Sequence, residues 1–191
     1  MRDGEFTSFP EIHQTSAQQL TARGIKSLFP IQQHSFYPVY KREDVIARDL
    51  TGSGKTLAFC LPLTEYLRKN QMLGQRRIQA IALCPTRELA IQVQNELARL
   101  KHNPNEFESL TVYGGVSVDD QARALRRGID FFVGTCGRVL DHIERGNIDF
   151  SALKTVILDE ADQMLKQGFK EDIDKVSENL LNQTSHNSSL L

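Results

Sequence analysis

Asp49-Leu50-Thr51-Gly52-Ser53-Gly54-Lys55-Thr56 is the stretch on which the reading of this chain turns. An apolar run, Val45-Ile46-Ala47, precedes it, and a helical pattern, Leu57-Ala58-Phe59-Cys60-Leu61, follows it. Strand, glycine-bearing turn, Gly-Lys-Thr and helix together make a cradle for phosphate, because backbone N–H groups and the positive end of the helix dipole converge on an anion. Gly52 and Gly54 let the backbone turn those N–H groups inward. Lys55 has the reach for β- and γ-phosphates, and the Thr56 hydroxyl suits Mg²⁺. The pattern Gly-x-x-x-x-Gly-Lys-Thr lacks its first glycine, since Asp49 stands there. A carboxylate suits a phosphate site only when its side chain turns away. A plain turn before a helix is the bland alternative.

A second stretch weighs against that alternative. Val156-Ile157-Leu158-Asp159-Glu160 is an apolar strand ending in two carboxylates. Downstream of a phosphate loop, it reads as the other half of a nucleoside-triphosphatase site. Asp159 would hold Mg²⁺ through water, and Glu160 would orient and deprotonate the attacking water. An acidic helix N-terminus is the alternative here, and it is electrostatically comfortable. Gln32 carries a donor pair and an acceptor on one amide, which matches the adenine edge. Taken alone, it reads more readily as a surface residue than as an adenine reader.

The chain has 191 residues, 40% hydrophobic and 25% charged, so it has the size of one domain with a sizeable core. A net charge of −1 gives no bulk electrostatic footprint for nucleic acid, so any such binding needs a local patch. Cys60, Cys84 and Cys136 are an odd number, widely spaced, and read as free thiols in a reducing compartment. No apolar run approaches the length of a membrane span and no apolar leader opens the chain, so it reads as intracellular.

In order, the pattern gives a polar leader with Phe6 and Phe9, then a helix from Ser16 to Arg23 stopped by Gly24. Pro30 starts a short helix to Tyr37. Asp44–Ala47 reads as the first core strand, and Thr56–Leu67 as a helix with Leu57, Leu61 and Tyr66 inward. Ile78–Cys84, Leu110–Tyr113, Ile129–Val133 and Thr155–Leu158 follow as strands. Between and after them lie helices capped by Thr86, spanning Val118–Arg126, running through Arg145, and spanning Phe169–Leu181. The polar end from Asn182 to Ser189 reads as a loop. This alternation specifies an α/β domain with a mainly parallel central sheet flanked by helices on both faces. The loops of interest leave strand C-terminal ends, where ligands bind in open α/β sheets.

Over residues 6–191 the chain resembles the N-terminal RecA-like lobe of a DEAD-box ATP-dependent RNA helicase, a P-loop NTPase fold. The resemblance rests on Asp159-Glu160-Ala161-Asp162, Pro85-Thr86-Arg87-Glu88-Leu89 and Gly114-Gly115. It also rests on Thr135-Cys136-Gly137-Arg138, where the family usually has Thr-Pro-Gly-Arg, and on Gly24–Gln32, similar to the family's adenine-reading Q motif. It implies that Gln32 recognises the adenine of ATP, supported by Phe6. Thr51, Gly52, Ser53, Gly54, Lys55 and Thr56 would bind phosphates and Mg²⁺. Lys55, Asp159 and Glu160 would carry catalysis, with Thr56 and Asp159 linked to the metal. Asp162 would couple nucleotide state to RNA grip. Pro85, Thr86, Arg87, Gly115, Thr135, Gly137 and Arg138 would hold one RNA strand by its backbone, without reading bases.

Several positions depart from the family: Asp49, Ile25 in place of an aromatic, Leu28 in place of Pro, and Cys136. Leu28-Phe29-Pro30 is similar to nucleolar members, which leans the expected compartment from cytoplasm toward nucleus and nucleolus. Residues 1–23 read as a leader and first helix, and residues 24–191 as the ATP-binding lobe. That lobe is expected to stop before the family's Ser-Ala-Thr motif, at Ser188–Leu191, without the second lobe. As a monomeric fragment it is expected to bind ATP weakly, hydrolyse it very slowly and leave duplexes intact. A non-hydrolysing RNA-binding or scaffolding module is the alternative reading, motivated by Asp49. A DNA helicase or transport ATPase with a similar core is a further one, disfavoured by Gln32 together with Asp159–Asp162.

Overall fold

A computed structural model describes residues 4–50 and 52–184. It divides into two compact units, residues 1–72 with 95–104 and residues 73–94 with 105–191.

The first unit is helical. A single 3-10 turn, Phe6–Ser8, leads to α1 (Gln14–Ala22), α2 (Pro30–Tyr40) and α3 (Lys55–Lys69). Gly24, at φ +82°, provides the left-handed turn after α1. Pro30 opens α2, where its missing N–H is no loss. α2 packs on α3, and the Ser35 hydroxyl donates to the Ala58 carbonyl at 3.1 Å. Phe9 is buried and packs edge-on against Phe36, with ring centroids 5.0 Å apart. On α3, Leu57 and Leu61 turn inward as their spacing predicts, but Tyr66 stays half-exposed and its neighbour Glu65 is buried. That charge is accommodated by Arg68 at 2.9 Å and by the Ser16 hydroxyl, which donates to the same carboxylate oxygen.

The second unit is a parallel sheet with helices packed on it. Its strands are β1 (Ala80–Cys84), β2 (Ser109–Val112), β3 (Phe131–Thr135) and β4 (Thr155–Leu158), in the order β2-β3-β1-β4. All the pairings are parallel, with Cys84 opposite Thr135 and Leu83 opposite Leu158. The helices are the start of α4 (Arg87–Arg99), then α5 (Val118–Leu125), α6 (Cys136–Glu144), α7 (Ala161–Lys166) and α8 (Lys170–Thr184). β1 is buried along its whole length, which matches its uninterrupted apolar run. One core joins Ile81, Leu83, Phe132, Val139, Phe150, Met164 and Val176. β1 and β4 end where the sequence places them, while β2 stops one residue earlier, at Val112, and β3 runs two residues further, through Gly134 and Thr135. The helix α7 is an addition, and the polar tail is helical as far as Thr184.

The expected strand at Asp44–Ala47 does not form. The segment is irregular, Ile46 is fully exposed, and the four strands above are those of the described sheet. Three consecutive apolar residues favour an extended chain, but a strand also needs a neighbour for its N–H and C=O groups. No described pairing supplies one there.

Gly134 sets how closely α6 begins against the sheet. A Cβ at this position would fall 2.6 Å from Val139 Cγ2 and 2.7 Å from Val112 Cγ2, both stiff β-branched side chains. Gly134→Ala is therefore expected to destabilise the chain by about 1–3 kcal/mol. Urea unfolding monitored by circular dichroism measures this, and an unchanged midpoint would contradict the packing described.

Candidate functional site

In the first unit, Gln32 and the phosphate-loop stretch meet. Gln32 is 4% exposed on the first turn of α2. Its Oε1 accepts from the Phe29 N–H at 2.8 Å, and its Nε2 donates to the Gly54 carbonyl at 3.0 Å. Each end of the amide keeps one further valence, so a donor and an acceptor remain side by side. Gly52 and Gly54 take φ values of +86° and +82°, the left-handed turns that glycine makes without strain. A Cβ on Gly54 would lie 2.3 Å from Gln32 Nε2, so this close approach needs glycine as well.

Lys55 begins α3, and its ammonium donates back to the Asp49 and Leu50 carbonyls at 2.8 and 3.3 Å. The Asp49 carboxylate accepts from the Leu50 N–H at 2.8 Å, so it turns onto its own loop. Ser53 Oγ is buried and makes no hydrogen bond among the described residues. A helix N-terminus, two left-handed glycines, a lysine and an orphan hydroxyl fit a phosphate. Thr51 lies outside the described residues. Phe6 is half-buried in its 3-10 turn, while Phe9 is the aromatic packed into the core.

In the second unit, parallel pairing brings the strand ends to one edge. A cavity of about 420 Å³ there is lined by Pro85, Gly114, Thr135, Gly137, Arg138 and, less expectedly, Cys136, Asp141 and Phe169. Gly114 lines it in place of Gly115, which makes the left-handed turn beside it at φ +83°. Thr86 caps α4, its hydroxyl accepting from the Leu89 N–H at 3.2 Å. Arg87 is exposed, with its guanidinium 4.4 Å from the centre of the Tyr113 ring. Burial pushes the Cys136 thiol up to about 11, and its Sγ donates to Met164 Sδ across 3.7 Å. It is therefore an inert packing group at the cavity floor.

Asp159 is buried at the end of β4, where its N–H donates to the Leu83 carbonyl at 3.0 Å and extends the ladder. Glu160 follows at φ 54° and ψ 45°, a left-handed conformation that strains any residue but glycine. Arg42, Gln71 and Arg76 also have positive φ, and Glu160 is the one of these four that falls in a motif. Asp162 is exposed and pairs with Lys166 at 3.2 Å, whose hydrogen bond holds its carboxyl below the usual range. Among the described residues no group of three or more His, Cys, Asp and Glu could hold a metal ion. Mg²⁺ takes one or two protein oxygens and completes its shell with phosphate and water, so the hard oxygens of Thr56 and Asp159 are the donor type it needs.

Beneath Arg138 runs a buried polar network that the sequence pattern does not disclose. Arg138 Nη1 donates to the Val116 carbonyl at 3.0 Å and to Gln121 Oε1 at 2.7 Å. His142 is fully buried, and its Nε2 lies 3.1 Å from the same Gln121 oxygen. An amide oxygen only accepts, so Nε2 carries the proton and Nδ1 accepts from Asn147 Nδ2 at 3.1 Å. Burial, then the Arg138 cation, lowers the His142 pKa from its ordinary value. The only sequence signal for these two residues is a polar side chain on the inward face of an amphipathic helix.

The DEAD/DEAH box helicase family matches residues 29–191. The chain is 42% identical to the human "ATP-dependent RNA helicase DDX50" over 92% of its length and 24% of that protein's. It is 41% identical to "Nucleolar RNA helicase 2-B" of Xenopus laevis, over 91% of its length and 22% of that protein's. It thus spans about a quarter of the length of the curated relatives it matches. Among solved structures, a DEAD box protein from the hyperthermophile Methanococcus jannaschii superposes with a TM-score of 0.82 at 35% identity, covering 92% of this chain and 46% of that one. No described helix is long and apolar enough to cross a membrane.

Because the folded chain holds the His142 proton less readily than the ordinary pKa of 6.5, the unfolded chain takes up that proton first as pH falls. The stabilising contribution is complete above about pH 6.5 and is lost as pH falls through that value toward the lowered folded one. Thermal unfolding between about pH 7 and pH 5 should show a decline in Tm that His142→Gln reduces. Parallel declines in the two proteins would contradict the neutral, singly protonated ring.

Proposed function

This chain belongs to the DEAD/DEAH box helicase family, and on that footing we propose that it is the ATP-binding lobe of an ATP-dependent RNA helicase. The lobe binds one RNA strand by its backbone and separates short duplexes locally when a second RecA-like lobe closes on it. The observation that carries the nucleotide half is the Gln32 amide. It is buried and tied to Gly54 of the phosphate loop, and it keeps one donor and one acceptor for an adenine edge. Thr51, Gly52, Ser53 and Gly54 cradle the phosphates with backbone N–H groups, and Ser53 brings its unpaired hydroxyl. Lys55 exchanges two loop carbonyls for phosphate oxygens.

Thr56 and Asp159 are the residues proposed to hold Mg²⁺, which when bound supplies positive charge across the β- and γ-phosphates. Glu160 orients the attacking water and accepts its proton. Asp162 relays nucleotide state to the RNA-holding loops, and Phe6 supports the base-reading end of the site. Pro85, Thr86, Arg87, Gly115, Thr135, Gly137 and Arg138 serve the RNA, and the cavity shared by Pro85, Thr135, Gly137 and Arg138 supports that assignment. Residues 24–191 form the lobe, which works as a monomer. The nucleolar name of one relative, together with Leu28-Phe29-Pro30, favours the nucleolus.

Titration calorimetry with Mg-ADP and Mg-GDP tests the nucleotide half. ADP should bind more tightly than GDP, and Gln32→Ala should remove the difference. Lys55→Ala should weaken ADP by roughly tenfold or more, the worth of a charge-assisted hydrogen bond. Asp49→Ala should tighten binding, since it frees the Leu50 N–H and removes a negative charge from the loop. Equal affinity for both nucleotides in the unmutated chain would overturn the reading.

A further inference from the structure

A phosphate contact made by an arginine is only as good as the placement of its guanidinium, because a free Arg loses rotamer freedom on binding. We propose that Gln121 and His142 are positioning residues for Arg138, holding its guanidinium at the cavity so that Nη2 is left for a phosphate of the RNA backbone. The proposal rests on the reading of Arg138 as an RNA contact.

The donors of Arg138 are already divided. The two hydrogens of Nη1 go to the Val116 carbonyl and Gln121 Oε1, and Nε faces Asp141 at 3.6 Å. Nη2 makes no hydrogen bond among the described residues, and Arg138 lines the cavity with Thr135 and Gly137. The side chain is thus fixed on two sides with one fork left over, the part that meets a phosphate oxygen.

Gln121 fixes its own oxygen in turn. Its Nε2 donates to the Tyr113 carbonyl at 3.3 Å, and its Oε1 takes the second donor from His142. His142 is held from the far side by Asn147. The charged groups around this ring are Arg138, Asp141 and Arg145, and Asp141 is itself held by Arg145 at 2.5 Å. Asp141 therefore competes only weakly for the Arg138 guanidinium.

A buried chain of hydrogen bonds costs desolvation that an apolar pair of the same volume would avoid. Here the chain from Asn147 through His142 and Gln121 leads to the one arginine at the cavity. The arrangement joins α5, α6 and the turn after β2, so it sets the guanidinium relative to three elements at once.

The test is the affinity of the full chain for a short fluorescent oligouridine RNA, measured by anisotropy at several salt concentrations. Arg138→Ala should lower affinity roughly tenfold and reduce the slope of log K against log salt by about 0.7, the signature of one single-strand phosphate contact. Gln121→Met and His142→Phe should lower affinity and slope in the same sense, and Gln121→Met should add nothing to Arg138→Ala. Native affinity and slope in both Gln121→Met and His142→Phe, with both lost in Arg138→Ala, would overturn the positioning role. A native slope in Arg138→Ala would instead remove the RNA reading of that residue, and the positioning role with it. Nitrogen-15 spectra of the His142 ring in the unmutated chain give an independent check. The network requires the Nε2–H form, and an Nδ1–H form overturns it.

Discussion

Parallel pairing is the constraint on which the second unit depends. With Cys84 opposite Thr135 and Leu83 opposite Leu158, every strand that carries a motif ends at the same edge of the sheet. Residues far apart in the chain then become neighbours without any motif having to seek another. Pro85 follows β1, Gly114 follows β2, and Thr135 closes β3 before α6 begins, so one cavity collects all three. Shifting a register by one residue would turn these side chains to the opposite face. The strands are fixed against such a slip by burial on both faces of β1, whose five residues are all in the core.

The polar groups at both candidate sites are pre-satisfied rather than left open. Lys55 rests on loop carbonyls, Asp49 takes a loop N–H, and Arg138 is pinned by Val116 and Gln121. The Lys55, Asp49 and Val116 bonds are exposed, so they are hydrogen bonds of modest net worth that water or another oxygen can replace at little desolvation cost. Two positions depart from this pattern. Ser53 Oγ is buried without a partner among the described residues, and Glu160 holds a left-handed backbone that its side chain does not favour. Both fall in stretches that the sequence singles out for phosphate chemistry.

Much of this was legible in advance. Uninterrupted apolar runs at β1 and β4, each followed by a turn and a helix, pointed to the α/β class and the parallel sheet. The motifs Pro85–Leu89, Thr135–Arg138 and Asp159–Asp162 each fall at a strand end. What stayed hidden was non-local. Val45-Ile46-Ala47 looks like a strand because its local pattern is apolar, yet the segment finds no pairing in the described sheet. The burial of Glu65 in place of Tyr66 depends on Arg68 and on Ser16 from a separate helix. Gln121 and His142 look like ordinary polar residues on amphipathic helices, and their meeting through Arg138 exists only once α5 and α6 are in place.

On the proposed function, the strand-end loops of the second unit hold RNA by its backbone. The most direct measurement is a nitrogen-15 amide chemical-shift map of the chain titrated with oligouridine and, separately, oligoadenine RNA. Shifts should gather at residues 85–87, 114–116 and 135–138 and be alike for the two RNAs, because phosphate and sugar contacts carry no base identity. Shifts that bypass those loops, or that follow the base and not the backbone, would contradict it.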